Sequence, residues 1–436
     1  MKYIHYLLLN VKSLIERFSG SGNTRSVFKN VGILASGSII SKIIGFASYP
    51  VITRLYTPDD FGILAVFTSA LFIIYPFGTL RYSITIPLPK SNGLAMNIFA
   101  LGLVLLLVIT IFLSALFLLV GNKIFSIFNA TEISTYWWLL VLGIAGASLF
   151  DLLTHWATRI KSFTTVAKAH IWQTLAAVFS QIALGFIGIK PGGLLFSEVA
   201  RKGIGVFTLS KKFQQELKQH LAQISSKRIL FVFKYYRYLP IYHLPSQLLS
   251  ILTLKIPLLF YAFNYGTETA GQLGLALMVV GVPMGLLGRT TANAYYAEIA
   301  NIGSAHKQKI FDITKSLAKR LLLIGSFPTL LLLLFSPFMF QFLFGSAWLQ
   351  AGQFTSIMAF YLFFEFMVTP FIKIFNVFNA QRKYLEISIV RIVLIVVVFI
   401  SVFVWGIDAY LALALYTFAM IIHHLYTIGK IYNILR

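Results

Sequence analysis

The 436-residue sequence contains no cysteine, which excludes disulfide bonds, thiolate metal sites and a cysteine nucleophile. Charged residues are also scarce, at 11% of the chain, where an average soluble domain has about 25%. Acids are the scarcest, because 13 aspartates and glutamates stand against 36 lysines and arginines, a net charge of +23. Among the eight histidines only His423 and His424 adjoin, and neighbours on a helix point about 100° apart. We therefore predict no metal site and no cofactor.

Long apolar runs fill most of the remaining sequence. Hydrophobic residues make up 58% of the chain, and the mean hydropathy is +0.82. A helix needs about 20 mostly apolar residues to cross a bilayer, and about twelve segments reach that length. The composition therefore predicts an all-α polytopic membrane protein with about twelve transmembrane helices. The predicted spans are 28–52, 61–88, 94–120, 136–158, 165–188, 193–210, 238–263, 270–296, 320–344, 353–379, 385–405 and 409–429.

Strongly basic loops alternate along the chain with loops that carry few cations. The basic set includes the N-terminal tail and a long stretch from Arg201 to Arg237, whereas the other set has only Arg54, Lys123 and Lys190 as cations. Cytoplasmic loops of membrane proteins carry the excess of lysine and arginine. This rule places both termini in the cytoplasm. The high net charge is then a topology signal, and no nucleic-acid partner is predicted.

The basic stretch after Arg201 divides the predicted spans into two sets of about six. Paired sets of helices around a site near the bilayer midplane are common in secondary transporters. We therefore predict two six-helix lobes around a central cavity. The predicted divisions are an N-terminal cytoplasmic amphipathic segment at 1–26, an N-lobe at 27–210, a basic cytoplasmic linker at 211–237 and a C-lobe at 238–436.

Large extramembrane domains are absent from the predicted topology. The longest outer loop, from Gly121 to Thr135, has about 15 residues. A polymerase or ligase that joins sugars outside the membrane needs a sizeable outer domain, so this class is disfavoured. The sequence also has no P-loop pattern, which disfavours an ATP-driven pump.

Several cations lie inside or at the ends of predicted spans. Lys42, Lys255 and Arg289 lie several turns from either end of a span, Arg81 lies in the second span, and Arg54 ends the first. An uncompensated charge at the bilayer centre costs about 3 kcal/mol on insertion scales, so such residues usually face a cavity or a partner. The excess of cations over acids predicts a cavity for an anion. The alternative is that long side chains reach the head groups, which is strongest for the cations Arg54, Arg159 and Arg391.

Acids inside the spans are candidates for ion coupling. Asp151 and Glu365 lie within predicted spans, and Glu365 begins a polar stripe that continues through Thr369 and Lys373 to Asn376. At two helical turns, about 11–12 Å, Glu365 is too far from Lys373 for a tight pair within the helix. We therefore predict that Glu365 is available to titrate or to bind a cation. Separately, Pro257 and Pro283 interrupt the seventh and eighth spans and are the predicted hinges.

Five stretches together resemble the Wzx-type flippases of lipid-linked O-antigen, in the multidrug/oligosaccharidyl-lipid/polysaccharide exporter superfamily. Their order and spacing carry the resemblance, which covers the chain from about Asn30 to Tyr426. The stretches are TRLYTPDDFGILAVF at 53–67, LRYSITIPLPKSNGLAMNIF at 80–99, YLPIYHLPSQLLSILTLKIPLLF at 238–260, AGQLGLALMVVGVPMGLLG at 270–288 and NAQRKYLEISIVRIVL at 379–394.

The resemblance implies a V-shaped fold of two lobes in the bacterial inner membrane. It implies alternating-access transport of an undecaprenyl-diphosphate-linked oligosaccharide, such as an O-antigen repeat, from the cytoplasmic to the periplasmic leaflet. It also implies that basic cavity residues receive the diphosphate. The expected partners are membrane lipids, H⁺ or Na⁺ as coupling ion, and glycan polymerase and chain-length proteins. The residues to which this resemblance assigns the diphosphate are Lys42, Arg54, Arg81, Lys255, Arg289 and Lys373.

Two other functions are alternatives to the flippase. The first is a cation or drug antiporter of the same superfamily, which requires buried carboxylates and aromatic faces to bind an organic cation. Aromatic residues are plentiful at 16%, but carboxylates are absent near the first and seventh spans. The second is the membrane glycan polymerase or ligase, which lacks the outer loop that it requires.

Overall fold

The computed structural model describes residues 23–436, with the side chains of 23–31, 35, 212, 215, 217, 286, 287 and 289 left out. Most of the predicted amphipathic segment 1–26 therefore lies outside the described residues. The described chain is helical throughout, with short turns between the helices. The twelve helices of ten or more residues are α1 (Asn23–Leu55), α2 (Pro58–Ile74), α3 (Asn92–Ser126), α4 (Trp137–Arg159), α5 (Phe163–Ile187), α6 (Gly192–His220), α7 (Ser226–Tyr235), α8 (Leu244–Ile302), α9 (Lys307–Phe344), α10 (Leu349–Val368), α11 (Gln381–Trp405) and α12 (Ala409–Leu435).

Ten helical stretches within residues 23–436 are long and apolar enough to cross a membrane. One of them, Leu239–Ile302, has 64 residues, or about 96 Å of helix at 1.5 Å per residue. This is about three times the thickness of a bilayer core, so the stretch contains two passes. The more polar helix α6, with 29 residues, is also long enough to cross. Counted this way, the described chain agrees with the twelve predicted spans.

The two passes of α8 meet at a glycine. Gly266 has φ 87° and ψ 167°, the one non-helical conformation inside α8, and a positive φ is available to glycine at little steric cost. Helical backbone continues through Pro257 and Pro283, while Pro240 lies in a π-helical turn at Leu239–His243. The expected breaks at the two interior prolines are therefore wrong for this conformation, and their role as hinges stays a prediction. We call the parts of α8 before and after Gly266 its first and second arms.

Contacts divide the helices into two groups. In the N-lobe α1 packs on α5, and α6 packs on α4 and α5; in the C-lobe α9 packs on α10, and α12 packs on α10 and α11. The predicted linker is largely helical, because α6 continues to His220 and α7 packs against α3. Asn97 fixes this packing, since its side chain donates to the Gln223 carbonyl and accepts from the Ser225 amide, each at 2.9 Å.

Candidate binding cavity

A close helix contact joins the two lobes where α2 begins and the second arm of α8 begins. A Cβ atom at Gly62 would lie 1.8 Å from the Thr267 carbonyl oxygen, and one at Gly271 would lie 1.8 Å from the Pro58 carbonyl oxygen. Glycine at both positions therefore lets the two backbones touch. The Thr267 hydroxyl also donates a hydrogen bond to the Asp59 carboxylate across the same contact. The lobes are thus closed at this end, which we call the seal.

Trp348 extends the seal to α1. Its indole Nε1–H donates to the Thr53 carbonyl at 3.0 Å, and the side chain is fully buried. Gln272 of α8 holds the turn that carries this tryptophan, because its Nε2 donates to the Ala347 carbonyl at 2.6 Å while its Oε1 accepts from the Ala351 amide at 3.0 Å. The seal therefore combines backbone contact with hydrogen bonds between the lobes.

A cationic cluster lies away from the seal, where the end of α2 faces α6 and the first arm of α8. The ammonium groups of Lys202 and Lys255 lie 5.9 Å and 5.1 Å from the centre of the Phe72 ring, so one aromatic ring contacts a cation from each lobe. Glu198 is buried and forms an ion pair with Arg201 at 2.7 Å. Glu198 also interacts electrostatically with both lysines. This arrangement brings the predicted Lys255 to the surface between the lobes.

Arg81 is paired with Asp151, so the two predicted site residues come together. Its Nη1 lies 3.6 Å from the Asp151 carboxylate, which also accepts a 2.5 Å hydrogen bond from Ser83 and lies 3.7 Å from His155. Arg81 has φ 63° between two short 3-10 turns, which turns its buried side chain toward α4. Asp151 therefore compensates Arg81 in this conformation, and the roles of Arg81 at the diphosphate and of Asp151 in ion coupling stay predictions.

The described side chains of this region nevertheless carry an excess of positive charge. The two carboxylates are outnumbered by four cations, which leaves two positive charges. The groups counted are Arg81, Arg201, Lys202, Lys255, Asp151 and Glu198.

Lys42 also lies between the lobes. Its ammonium nitrogen is 3.3 Å from where a Cβ atom would stand on Gly285, in the second arm of α8. Arg54 differs from it, because it is exposed in the last turn of α1. Its reach to the head groups and its role at the diphosphate both stay predictions.

Two further predicted cations belong to the C-lobe. Arg289 lies on the second arm of α8, but its side chain lies outside the described part of the structure. The Lys373 ammonium lies 5.9 Å from the centre of the Tyr296 ring. Neither residue is joined to the cluster around Phe72 by a described contact.

Glu365 borders a small cavity inside the C-lobe rather than the space between the lobes. The cavity has a volume of about 70 Å³, and Glu365, Arg391, Tyr361, Tyr416 and the predicted hinge Pro257 are among its lining residues. Both tyrosines interact with the Glu365 and Arg391 side chains. Arg391 therefore belongs to a buried polar network, and the prediction that it reaches the head groups is wrong.

The polar stripe expected from Glu365 to Asn376 is not continuous. Helix α10 ends at Val368, and a 3-10 turn at Thr369–Lys373 follows. Pro370 explains this break, because proline lacks the N–H of an α-helical hydrogen bond. The change of helix type places Lys373 beside Tyr296 and separates it from Glu365.

A histidine pair adjoins the C-lobe network. His423 and His424 are each 5% exposed, their ring centres are 5.1 Å apart, and none of their ring nitrogens has a hydrogen-bond partner among the described residues. Both rings interact electrostatically with Arg391.

Arg159 has a structural role instead of reaching toward lipid. Its guanidinium donates to the carbonyls of Ile86 and Pro89 and to the Asn92 side chain, at 3.1, 2.5 and 2.9 Å. These bonds tie α4 to the turn before α3. The head-group interpretation of Arg159 is therefore wrong.

The sequence analysis counts Arg201 and Lys202 with the basic cytoplasmic stretch, yet both lie in α6, where Lys202 contacts Phe72 and Arg201 pairs with Glu198. The available signal is their spacing from Glu198, three and four residues on, which puts an acid and two cations on one helix face. This spacing is easily overlooked, because Arg201 and Lys202 begin a long basic stretch, and positive charges near a span end also indicate the cytoplasmic side.

Comparison with known proteins supports the fold. Residues 51–353 match a protein family described as "Polysaccharide biosynthesis protein". No curated protein matches the chain. Among solved structures, the chain superposes on the lipid II flippase MurJ in an inward closed conformation with a TM-score of 0.71 and 13% identity, over 92% of this chain and 87% of that one.

Two further similar structures are transporters. One is an inward-facing multidrug resistance MATE family transporter of the MOP superfamily, with TM-score 0.59, 13% identity and 97% coverage of both chains. The other is a MOP superfamily transporter from Pyrococcus furiosus, whose binding pocket is reported to have reverse polarity. It superposes with a TM-score of 0.53 and 14% identity, over 94% of this chain and 96% of that one. These similarities confirm the predicted all-α two-lobe fold.

Proposed function

The chain belongs to the polysaccharide biosynthesis protein family, and from this membership we propose that it is a flippase for an undecaprenyl-diphosphate-linked oligosaccharide. Its fold is that of a transporter rather than of an enzyme. The proposed substrate is an O-antigen repeat or a related surface polysaccharide repeat. The proposed direction is from the cytoplasmic to the periplasmic leaflet of a bacterial inner membrane, with both termini in the cytoplasm.

The observation that carries the proposal is the cationic cluster contributed by both lobes. Lys202 belongs to the N-lobe and Lys255 to the C-lobe, and both contact Phe72. A diphosphate in this position replaces its hydration with charge-assisted hydrogen bonds, which are roughly twice as strong as neutral ones. Its negative charge also matches the two uncompensated positive charges of the region. A ligand that bridges the lobes draws them together, and its release lets them separate again.

The assigned diphosphate residues divide by position. Lys42 and Lys255 lie between the lobes and keep this role in the proposal, and Lys202 joins them. Arg81 supports the cluster through its pair with Asp151. Arg54, Arg289 and Lys373 lack a described contact to the cluster and remain predicted contributors.

The membrane potential favours the proposed outward step. Moving two negative charges out of a negative cytoplasm lowers the free energy by about 4.6 kcal/mol per 100 mV of membrane potential. The empty cationic cavity then returns toward the negative cytoplasm, a step that the same field favours. We assign ion coupling to Glu365, the one carboxylate among the residues that line the small C-lobe cavity, and take a proton as the coupling ion to be tested.

A cation antiporter is the alternative, since the fold is shared with a multidrug transporter. The charge of the cluster argues against it, because an organic cation would meet Lys202 and Lys255 where it needs carboxylates. Efflux of organic cations from a sensitive host, unaffected by glycan precursors, would favour this alternative.

The decisive experiment is reconstitution of the purified protein in vesicles that contain a fluorescent undecaprenyl-diphosphate oligosaccharide. Flipping is measured as loss of the label to a membrane-impermeant quencher. We expect protein-dependent translocation that is lost in Lys42→Ala and Lys255→Ala and retained when an exposed lysine, Lys307, is changed to alanine. Equal rates in vesicles with and without protein would refute the flippase.

A further inference from the structure

Helix α7, in the basic linker between the lobes, has two opposite faces. On one face Val232 and Tyr236 are buried in a cluster that includes Tyr82 of the N-lobe. The residues of the other face are exposed and follow the spacing i, i+3, i+4 and i+7, which places them along one side of a helix. We call this face the outer stripe, and its residues are Lys227, Leu230, Phe231 and Lys234.

The outer stripe combines cations with large apolar side chains. Leu230 and Phe231 are each 53% exposed, and the Phe231 ring stacks on the exposed ring of Tyr235 with 5.5 Å between the ring centres. Neither lysine of the stripe takes part in an ion pair among the described side chains. The sequence also has no acid from 217 to 267. The stripe therefore presents positive charge beside aromatic surface, without an acidic partner among the described residues.

Helix α7 lies near the level at which α3 begins to expose apolar surface. At Phe99 and Leu101, α3 is buried in the same cluster as α7. At Val104 and Leu107, α3 exposes the large apolar side chains that a bilayer covers. The change takes place within roughly 9 Å of helix after Leu101. The outer stripe therefore lies close to the boundary of the apolar surface, on the side of the basic linker.

Neither water nor hydrocarbon alone suits the outer stripe. In water its apolar side chains stay unburied, and in hydrocarbon its two ammonium groups are costly. The head-group region accommodates both, because aromatic residues are enriched there and anionic lipids attract lysine. We propose that the outer stripe binds the phosphate head group of an anionic phospholipid of the cytoplasmic leaflet, with Leu230 and Phe231 against the glycerol and the upper acyl chain.

The position of α7 gives the bound phospholipid a role. Helix α7 ends at Tyr235, and the π-helical turn at Leu239–His243 leads into the first arm of α8, which carries Lys255. The Tyr82 hydroxyl donates to the Phe233 carbonyl at 2.9 Å, so α7 is also bonded to the N-lobe. A phospholipid on the outer stripe therefore anchors the link between the lobes at the head groups.

The test measures the contact between α7 and each lipid class by fluorescence quenching. Because the chain has no cysteine, Leu230→Cys provides a single site for a bimane fluorophore in the full-length protein. The labelled protein is placed in nanodiscs of phosphatidylethanolamine and phosphatidylglycerol, in which an equal minor fraction of either lipid carries a brominated acyl chain. Each basic residue near the membrane surface favours an anionic lipid roughly fivefold, so we expect brominated phosphatidylglycerol to quench about fivefold more strongly than brominated phosphatidylethanolamine.

Variants of the two lysines connect this preference to the outer stripe. Lys227→Gln/Lys234→Gln should make the two brominated lipids quench equally, whereas Lys227→Arg/Lys234→Arg should keep the preference, because the positive charges remain. The charge-matched control Lys307→Gln/Lys309→Gln, at exposed positions in the first turn of α9, should keep it too. If Leu230→Cys fails to insert, Tyr235→Cys carries the fluorophore at an exposed position of the same helix.

Three results would overturn the proposal. Equal quenching by the two lipids in the labelled parent, or an unchanged preference in the glutamine variant, removes the anionic lipid from the outer stripe. Absence of quenching by either lipid places α7 in water. Loss of the phosphatidylglycerol quenching on addition of equimolar polyprenyl diphosphate identifies that lipid as the occupant instead. Because the measurement involves no transport, its outcome is independent of the proposed flippase activity.

Discussion

The seal between the lobes predicts that adding a single methyl group at Gly271 opens the closed end. A Cβ atom there meets the Pro58 carbonyl oxygen at 1.8 Å, whereas real Cβ contacts stay above 3.0 Å, so the backbones must separate by at least 1.2 Å. Such a shift stretches the two hydrogen bonds that cross the seal, Thr267 to Asp59 and Trp348 to Thr53. At about 1 kcal/mol each, their loss favours the open state by roughly 2 kcal/mol, or about 30-fold.

Gly274→Ala is the matched control for Gly271→Ala. It lies one turn further along the same helix, and its Cβ atom would meet Ala65 and Leu258 at ordinary distances of 3.7 and 3.8 Å. Because the chain has no cysteine, a single Ala351→Cys at a fully buried position of the seal reports opening through its reaction with a membrane-impermeant maleimide in nanodiscs.

We expect Gly271→Ala to raise the labelling rate of this cysteine at least tenfold and Gly274→Ala to leave it within twofold of the parent. Flipping should slow in Gly271→Ala, since the closed end no longer holds one conformation. Equal labelling in the two variants would show that the glycine contact does not hold the lobes together.

Two other predictions concern the buried charges. Arg81→Ala should destabilise the protein by about 2–3 kcal/mol, at the low end for a broken buried pair because the Asp151 side chain is 21% exposed. Thermal unfolding in detergent measures this, and adding Asp151→Asn should recover part of the loss; no recovery would contradict the pairing. Glu365→Gln should abolish the dependence of flipping on a proton gradient while flipping driven by the membrane potential persists. A pH-jump flipping assay tests this, and an unchanged gradient dependence would remove Glu365 from the coupling.

The spans were predictable because a bilayer imposes length and apolarity on each crossing helix. The position of Lys42 and Lys255 between the lobes follows from the same physics, since a charge deep in a span is stable only beside a cavity or a partner; their role at the diphosphate stays a prediction. The break after α10 was also readable from Pro370, although the polar spacing suggested a continuous stripe. In each case the decisive information lies within one helix.

The pairing of charges was not predictable from single helices. Arg81 meets Asp151 only because an unusual turn with φ 63° directs it toward α4. Arg391 meets the two tyrosines and His423 through helices distant in the sequence. The cluster at Phe72 likewise requires α2, α6 and α8 to converge. These contacts arise from tertiary packing, which periodicity does not report.

The same packing decides which cations are available to a ligand. Arg159 bonds to the turn before α3 and Arg81 pairs with Asp151, whereas Lys202 and Lys255 both contact Phe72 and interact with Glu198, which is already paired with Arg201. A count of the cations within spans therefore includes Arg81, which is already paired, and omits Lys202, which belongs to the cluster. The proposed diphosphate site depends on Lys202 and Lys255, which converge from the two lobes.

The most direct test is the affinity for a polyprenyl diphosphate of the wild type and of the double variant Lys202→Gln/Lys255→Gln. The charge-matched control is Lys307→Gln/Lys309→Gln, at exposed positions in the first turn of α9. A hydrogen bond to a charged group contributes about 1.5–3 kcal/mol, so losing two weakens binding by at least about 100-fold. We expect that loss for the cluster variant and a change below threefold for the control. Equal affinity in all three proteins, with each correctly folded, would contradict a diphosphate site between the lobes.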